Sequence, residues 1–280
     1  MPVGRRVDNE ELEAIARRLR KHIVEATTKA ASGHPSTSLS MVEILTVLYF
    51  GGVLRYDPQN PDDPDRDRFI LSKGHGAPAL YAVLAEAGYF PVDDLLTLRA
   101  LGSPLEGHPN MCRLPGVEAS TGSLGQGYSI GIGHALAAKL DGRDYRVYVM
   151  VGDGESEQGQ VWEAAMYAGN HALDNLTLII DRNGNQQTGR VDEIQPLDPL
   201  DEKLQAFGLA GRTIDGHSLE EVQDAFDWAR SMAGGAQVIV ANTIKGKGVA
   251  LLEAGQDKWH GKPIPADDEA AALAEIGATP

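Results

Sequence analysis

Hydrophobic residues fall into two rhythms between Arg146 and Asp181. Val147, Tyr148, Val149, Met150 and Val151 form an unbroken β-branched and apolar run, which predicts a strand buried on both faces. Gln160 to His171 has helical composition, with small residues at Ala164, Ala165, Ala168 and then Ala172, and Leu176 to Asp181 predicts a second buried strand. Right-handed crossover is strongly favoured between parallel neighbours, so in a strand, helix, strand unit both strands deliver their C-terminal ends to the edge of the sheet where α/β proteins bind ligands.

Similar patterns organise the rest. Asp8 or Asn9 caps an amphipathic helix over about 8–30, with Leu12, Ile15, Leu19 and Ile23 on one face. A helix is predicted at about Met41 to Phe50, then a loop rich in proline and aspartate from Asp57 to Asp67, a short strand at Arg68 to Leu71 and an apolar helix at about Ala79 to Gly88. Residues 102 to 127 are long and irregular, which in a folded domain is more often functional than idle. Ser218 with Glu221 reads as a capping box, Gln237 to Thr243 as the last strong strand, and the acidic, alanine-rich tail at about 265–280 as a surface helix or mobile end. The expected fold is α/β: one domain over 1–280, with a parallel sheet flanked by helices on both faces.

Composition narrows the function. A formal charge of −15 argues against nucleic acid and anionic membranes as partners, since both would repel the chain at long range. Cys112 is the only cysteine, so no intrachain disulfide forms; no apolar stretch approaches the roughly 20 residues of a membrane span, and no secretory apolar core precedes the first helix. Cytoplasm is the expected location.

The candidate chemistry sits just past the strands. Gly152-Asp153-Gly154 follows the first buried run and Asn183-Gly184-Asn185 the second. Either motif alone is an ordinary turn. Together, at neighbouring sheet ends, they offer a carboxylate, an amide and a backbone carbonyl, here that of Asn185, to one hard cation such as magnesium, with phosphate oxygens completing the shell. Gly152 and Gly154 let backbone amides approach a diphosphate. Four histidines, His34, His75, His108 and His260, lie beside glycines in loops and suit hydrogen bonding to sugar hydroxyls and proton transfer near neutrality; Lys73, Lys245 and Lys262 neighbour them and could meet phosphate. His22, His134, His171 and His217 lack that context and read as structural or exposed. No histidine pair has zinc-ligand spacing. Gly125-Gln126-Gly127 with Gly131 fails as a dinucleotide fingerprint, because its third glycine is one place late and no clear strand precedes it.

These motifs resemble, in order and across nearly the whole chain, the N-terminal thiamine diphosphate-binding domain of the transketolase family: Ala31 to Pro35, Arg66 to Phe69, Ser72 to His75, Gly107 to Pro109, Thr121 to Gly127, the metal motif, Lys245 to Gly248, and Trp259 to Gly261. The resemblance implies magnesium, or calcium in its place, on Asp153, Asn183 and the Asn185 carbonyl. It implies thiamine diphosphate beside Lys73, His75, Gly122, Leu124, Gly154 and Lys245. His34, His108, His260 and Lys262 would contact a sugar phosphate, and His34, His75, His108 and His260 would take part in catalysis. The implied reaction moves a two-carbon ketol unit from a ketose phosphate to an aldose phosphate, as in the pentose phosphate pathway.

Full-length members of the family continue into a pyrimidine-binding domain and a C-terminal domain, neither of which follows Pro280. The expectation is therefore half of a split transketolase completed by a C-terminal subunit, in an α2β2 hetero-oligomer, or a truncated form. Gln158 departs from the family's usual glutamate in an acidic cluster linking paired sites, whereas Glu163 matches its second acidic position. The alternatives are another thiamine diphosphate enzyme, such as a transketolase for an unusual sugar phosphate or a 2-oxo acid dehydrogenase component, and a cofactor-holding subunit without turnover.

Overall fold

The computed structural model describes residues 6–255 and 258–277. In chain order they form α1 (Asn9–Lys29), α2 (Pro35–Leu39), α3 (Val42–Phe50), β1 (Arg68–Leu71), α4 (Ala77–Glu86), α5 (Gln126–Leu140), β2 (Val147–Gly152), α6 (Gly159–Asn170), β3 (Leu176–Arg182), the short strands β4 (Asn185–Gln186) and β5 (Gly189–Arg190), α7 (Val191–Ile194), α8 (Leu200–Ala206), β6 (Ala210–Asp215), α9 (Leu219–Ser231), β7 (Gln237–Asn242), α10 (Ala250–Glu253) and α11 (Glu269–Glu275). One sheet holds five strands in the order β1-β2-β3-β7-β6, every pair parallel. The short strands β4 and β5 pair antiparallel beside it.

The continuous apolar runs are explained by the two cores. Alternate residues of a strand point to opposite faces, so Tyr148 and Met150 of β2 belong to the core shared with α1, α3, α4 and α9, where Tyr148 meets Phe226 edge-on, while Val147, Val149 and Val151 belong to the core shared with α5 and α6. The first strand, helix and strand of the central unit lie within a residue or two of the pattern's limits. The Asp8 carboxylate caps α1, accepting from the Glu11 amide at 2.9 Å.

Several features depart from the pattern. Helix α5 continues straight out of the irregular glycine-rich stretch, and β6 is an edge strand whose residues are mostly exposed or half-buried, so neither carries a clear apolar period. Only half of the capping box forms: Ser218 accepts from the Glu221 amide at 3.2 Å, but the Glu221 carboxylate accepts from the Asp215 amide instead. The C-terminal tail docks, with Ala272, Leu273 and Ile276 buried in the α1 core; the last of its residues, 278–280, lie outside those described. Cys112 is exposed in the long loop before α5. Among the described residues no helix is long and apolar enough to cross a membrane.

Two glycines of α5 separate helix propensity from packing. A Cβ on Gly131 would lie 2.3 Å from the Val149 side chain, whereas one on Gly133 meets open space. Gly131→Ala is therefore expected to destabilise the chain by about 1–3 kcal/mol through overpacking, and Gly133→Ala to stabilise it by about 0.5–1 kcal/mol. Denaturant unfolding of the two variants checks the opposite signs.

Candidate active site

Four parallel strands end at one edge of the sheet, and each hands a polar segment to the same place. In the ladder, Leu71 pairs with Met150, Gly152 with Asp181, and Arg182 with Asn242. The residues just beyond are Ser72 to His75 after β1, Asp153 after β2, Asn183 after β3 and Thr243 to Lys245 after β7. The Asp153 carboxylate accepts from its neighbour Gly154 at 2.8 Å and, across the strand gap, from the Gly184 amide at 2.6 Å. The Asp153 and Asn183 motifs are therefore in direct contact. A Cβ on Gly154 would lie 2.8 Å from the Gln186 side chain, so only glycine lets the two turns approach this closely.

Three carboxylates lie buried here, in different electrostatic states. Burial and the charge of Asp181 push Asp153 up to about 7, against the pull of the Gly184 and Gly154 amides and of Lys73. Asp181 is fully buried. Burial pushes it up too, but the Lys73 ammonium and hydrogen bonds from Lys73, Ser40 and Thr243 prevail and hold it below the usual carboxylate range. Its Oδ2 also accepts from Asn183 Nδ2 at 3.2 Å, which turns that amide's Oδ1 the other way, where it accepts from the Asn185 amide at 3.1 Å. Glu155 accepts from Ser72 Oγ at 2.5 Å and from the Gly125 and Gly152 amides at 2.8 and 3.0 Å, tying three glycine-rich turns together.

Three of the glycine-flanked histidines form a triangle. Ring centroids are 5.3 Å apart for His34 and His75, and 5.4 Å for each ring to His260. Burial is the main cause that lowers all three, His34 and His260 to about 4 and His75 well below its ordinary value; neighbouring lysine, arginine and histidine charges add to it. Burial therefore favours the neutral imidazole in all three. The buried Lys245 ammonium lies 3.2 Å from His260 Nδ1; a lysine only donates, so the proton of His260 is on Nε2. His34 Nδ1 is buried with no hydrogen-bond partner among the described residues. His108 is more exposed, and its ring packs against Gly122.

These groups line one cleft of about 320 Å³, which takes in His34, Lys73, His75, His108, Gly122, Leu124, Asp153, Gly154, Asn183, Asn185, Lys245 and His260. Lys262 is exposed and outside that lining. Lys73 reaches the cleft, but its ammonium is turned to Asp181 and to Thr37 Oγ1 at 2.9 Å. Gln158 and Glu157 sit at the cleft's border, whereas Glu163 is on the exposed side of α6. A neighbouring hollow of about 410 Å³ shares Asp153 and Asn183 but none of the histidines. Pattern reading overlooked Asp181 and Glu155. Asp181 had a signal, being a lone carboxylate closing an apolar strand; Glu155, one residue beyond the glycine turn, had none.

The donor set suits the group the motifs suggest: an acid pushed up by burial and by the neighbouring Asp181, an amide oxygen, nearby backbone carbonyls, and a lysine with bare glycine backbone for a diphosphate. A family model described as transketolase, thiamine diphosphate binding domain, matches residues 11–280. The chain is 44% identical over 266 residues to a 6-deoxy-6-sulfo-D-fructose transketolase subunit of Clostridium sp. (strain MSTE9), covering 95% of this chain and 96% of that one. It is 43% identical over 268 residues to an apulose-4-phosphate transketolase subunit of Actinobacillus succinogenes, with 95% and 96% covered. Human transketolase is 42% identical over 273 residues, which cover 96% of this chain but 43% of that protein. The crystal structure of Campylobacter jejuni transketolase superposes with a TM-score of 0.90 at 33% identity, over 97% of this chain and 43% of that one. The chain thus spans less than half of the full transketolases and nearly all of the two subunits, and on this likeness of sequence and fold it belongs to the transketolase family.

Proposed function

We propose that this chain, as one diphosphate-binding domain over 1–280, is the N-terminal subunit of a split transketolase. In this reading it transfers a two-carbon ketol unit from a ketose phosphate to an aldose phosphate in the cytoplasm, within a pentose phosphate-type exchange of sugars. A C-terminal subunit supplies the pyrimidine-binding and last domains in an α2β2 assembly. The observation that carries it is the joining of Asp153 and Asn183 at adjacent strand ends inside the cleft that also holds the histidine triangle and Lys245. That relatives of this length are named as subunits supports the split arrangement.

The chain's own residues divide the work. Asp153, Asn183 Oδ1 and the Asn185 carbonyl would hold magnesium, or calcium, whose charge would offset the burial and the Asp181 repulsion that push Asp153 up. Phosphate oxygens and water would complete the shell of such a hard cation. Lys245 and the Gly154 backbone meet the diphosphate, with Lys73 acting through Asp181. Thiamine diphosphate, when bound, supplies the carbon nucleophile that takes up the two-carbon unit. His34 and His260, whose neutral form burial favours, and the more exposed His108 orient sugar hydroxyls and exchange protons with them, and the Nδ1 of His34, without a partner among the described residues, is the clearest atom for such a contact. Lys262 would join them through a sugar phosphate.

Two measurements test this reading. Calorimetry of thiamine diphosphate with magnesium should give Asp153→Ala at least about tenfold weaker binding, since one charge-assisted contact is worth about 1.5–3 kcal/mol; unchanged affinity would remove Asp153 from the metal. Cleavage of xylulose 5-phosphate should require addition of a C-terminal transketolase subunit, and turnover by this chain alone would refute the split site.

A further inference from the structure

Lys245 is carried by the loop that leaves β7, and the loop is held from behind by residues that never enter the cleft. The Ile244 amide donates to His217 Nε2 at 2.8 Å. With Nε2 accepting, the ring proton is on Nδ1, which donates to Glu43 at 2.9 Å. The other Glu43 oxygen accepts from Arg20 Nη2 at 2.5 Å, and Arg20 Nε donates to the Lys247 carbonyl at 3.2 Å. The relay therefore closes on itself, bonding the loop on either side of Lys245 through side chains from α1, α3 and the β6–α9 turn. Gly246 is fixed from a fourth direction, its amide donating to the Ser36 carbonyl at 2.8 Å.

Arg20 and Glu43 are buried, and His217 is nearly so. Burial alone would push Glu43 up; the His217 hydrogen bond and the Arg20 charge outweigh it and hold the carboxyl below its usual range. A buried ion pair of this kind is a poor source of stability, because desolvation offsets most of the attraction. What it provides is direction, since the pair can satisfy its lone pairs and protons only with the loop in one place.

We propose that His217, with Glu43 and Arg20 behind it, is a positioning residue that sets the Ile244–Lys247 loop so that Lys245 enters the cleft at diphosphate height. The proposal rests on the cofactor reading above and names three residues that no contact with cofactor or sugar would reveal. His217→Asn keeps an amide donor near the Nδ1 position for Glu43 but removes the acceptor for Ile244; His217→Gln restores an acceptor near Nε2.

The test is binding of magnesium pyrophosphate to the full chain by calorimetry, alongside amide hydrogen exchange at Ile244. The Asn variant should bind about tenfold more weakly, as outer-shell replacements commonly do, with faster exchange at Ile244, and the Gln variant should stay near wild type in both. Equal behaviour of the two variants, whether both unchanged or both impaired, would overturn the role of the Ile244 bond. Wild-type chain that fails to bind magnesium pyrophosphate would overturn the cofactor reading instead, while the exchange comparison still judges the pinning of the loop.

Discussion

A carboxylate with no access to water governs this cleft. Asp181 closes β3 inside the molecule, and an unpaired charge there would cost several kcal/mol. Its compensation comes from four separate segments: Lys73 after β1, Ser40 at the end of α2, Asn183 after β3 and Thr243 after β7. Satisfying one anion therefore draws the strand ends and the loops behind His34 and Lys245 to a common centre. Removing any donor would leave the anion partly unmet, so the assembly is held as a unit rather than contact by contact.

The second organising effect is the dryness of the cleft wall. The three packed imidazoles share a small volume with two lysines, and each cation nearby makes a further charge more costly. Burial first and these charges second favour the neutral histidines, able to donate through one nitrogen and accept through the other. Asp153 is the opposite case, an acid that burial and a neighbouring anion push up despite the pull of Lys73. Neutral donors on one side and an electron-rich corner on the other match a ligand with hydroxyls at one end and a cation-bound diphosphate at the other.

Much of this was legible in the residues. The runs at Val147 to Val151 and Leu176 to Asp181 could bury both faces only as inner strands of a parallel sheet, and that alone placed Asp153 and Asn183 side by side. Glycine context singled out His34, His75, His108 and His260, all of which line the cleft. What pattern could not reach was long-range. His217 has no motif, and its importance lies in a bond to Ile244 and another to Glu43, far apart in sequence. Helix α5 was obscured because it opens directly out of the glycine-rich turn from Thr121 to Gly125, and β6 because an edge strand needs no continuous apolar face.

The pairing of Gly152 with Asp181 in the ladder has a consequence for how reliably the chain can fold. Side chains of β3 alternate between the α1–α3 side, which receives Ile179 and Asp181, and the α5–α6 side, which receives Leu178 and Ile180. A slip of one position would exchange those destinations and drive the Asp181 anion into a layer of alanine and valine, leaving Lys73 opposite isoleucine. The same carboxylate that assembles the cleft thus acts as a parity check on strand alignment, so that misaligned chains are penalised at the spot where the chemistry is built.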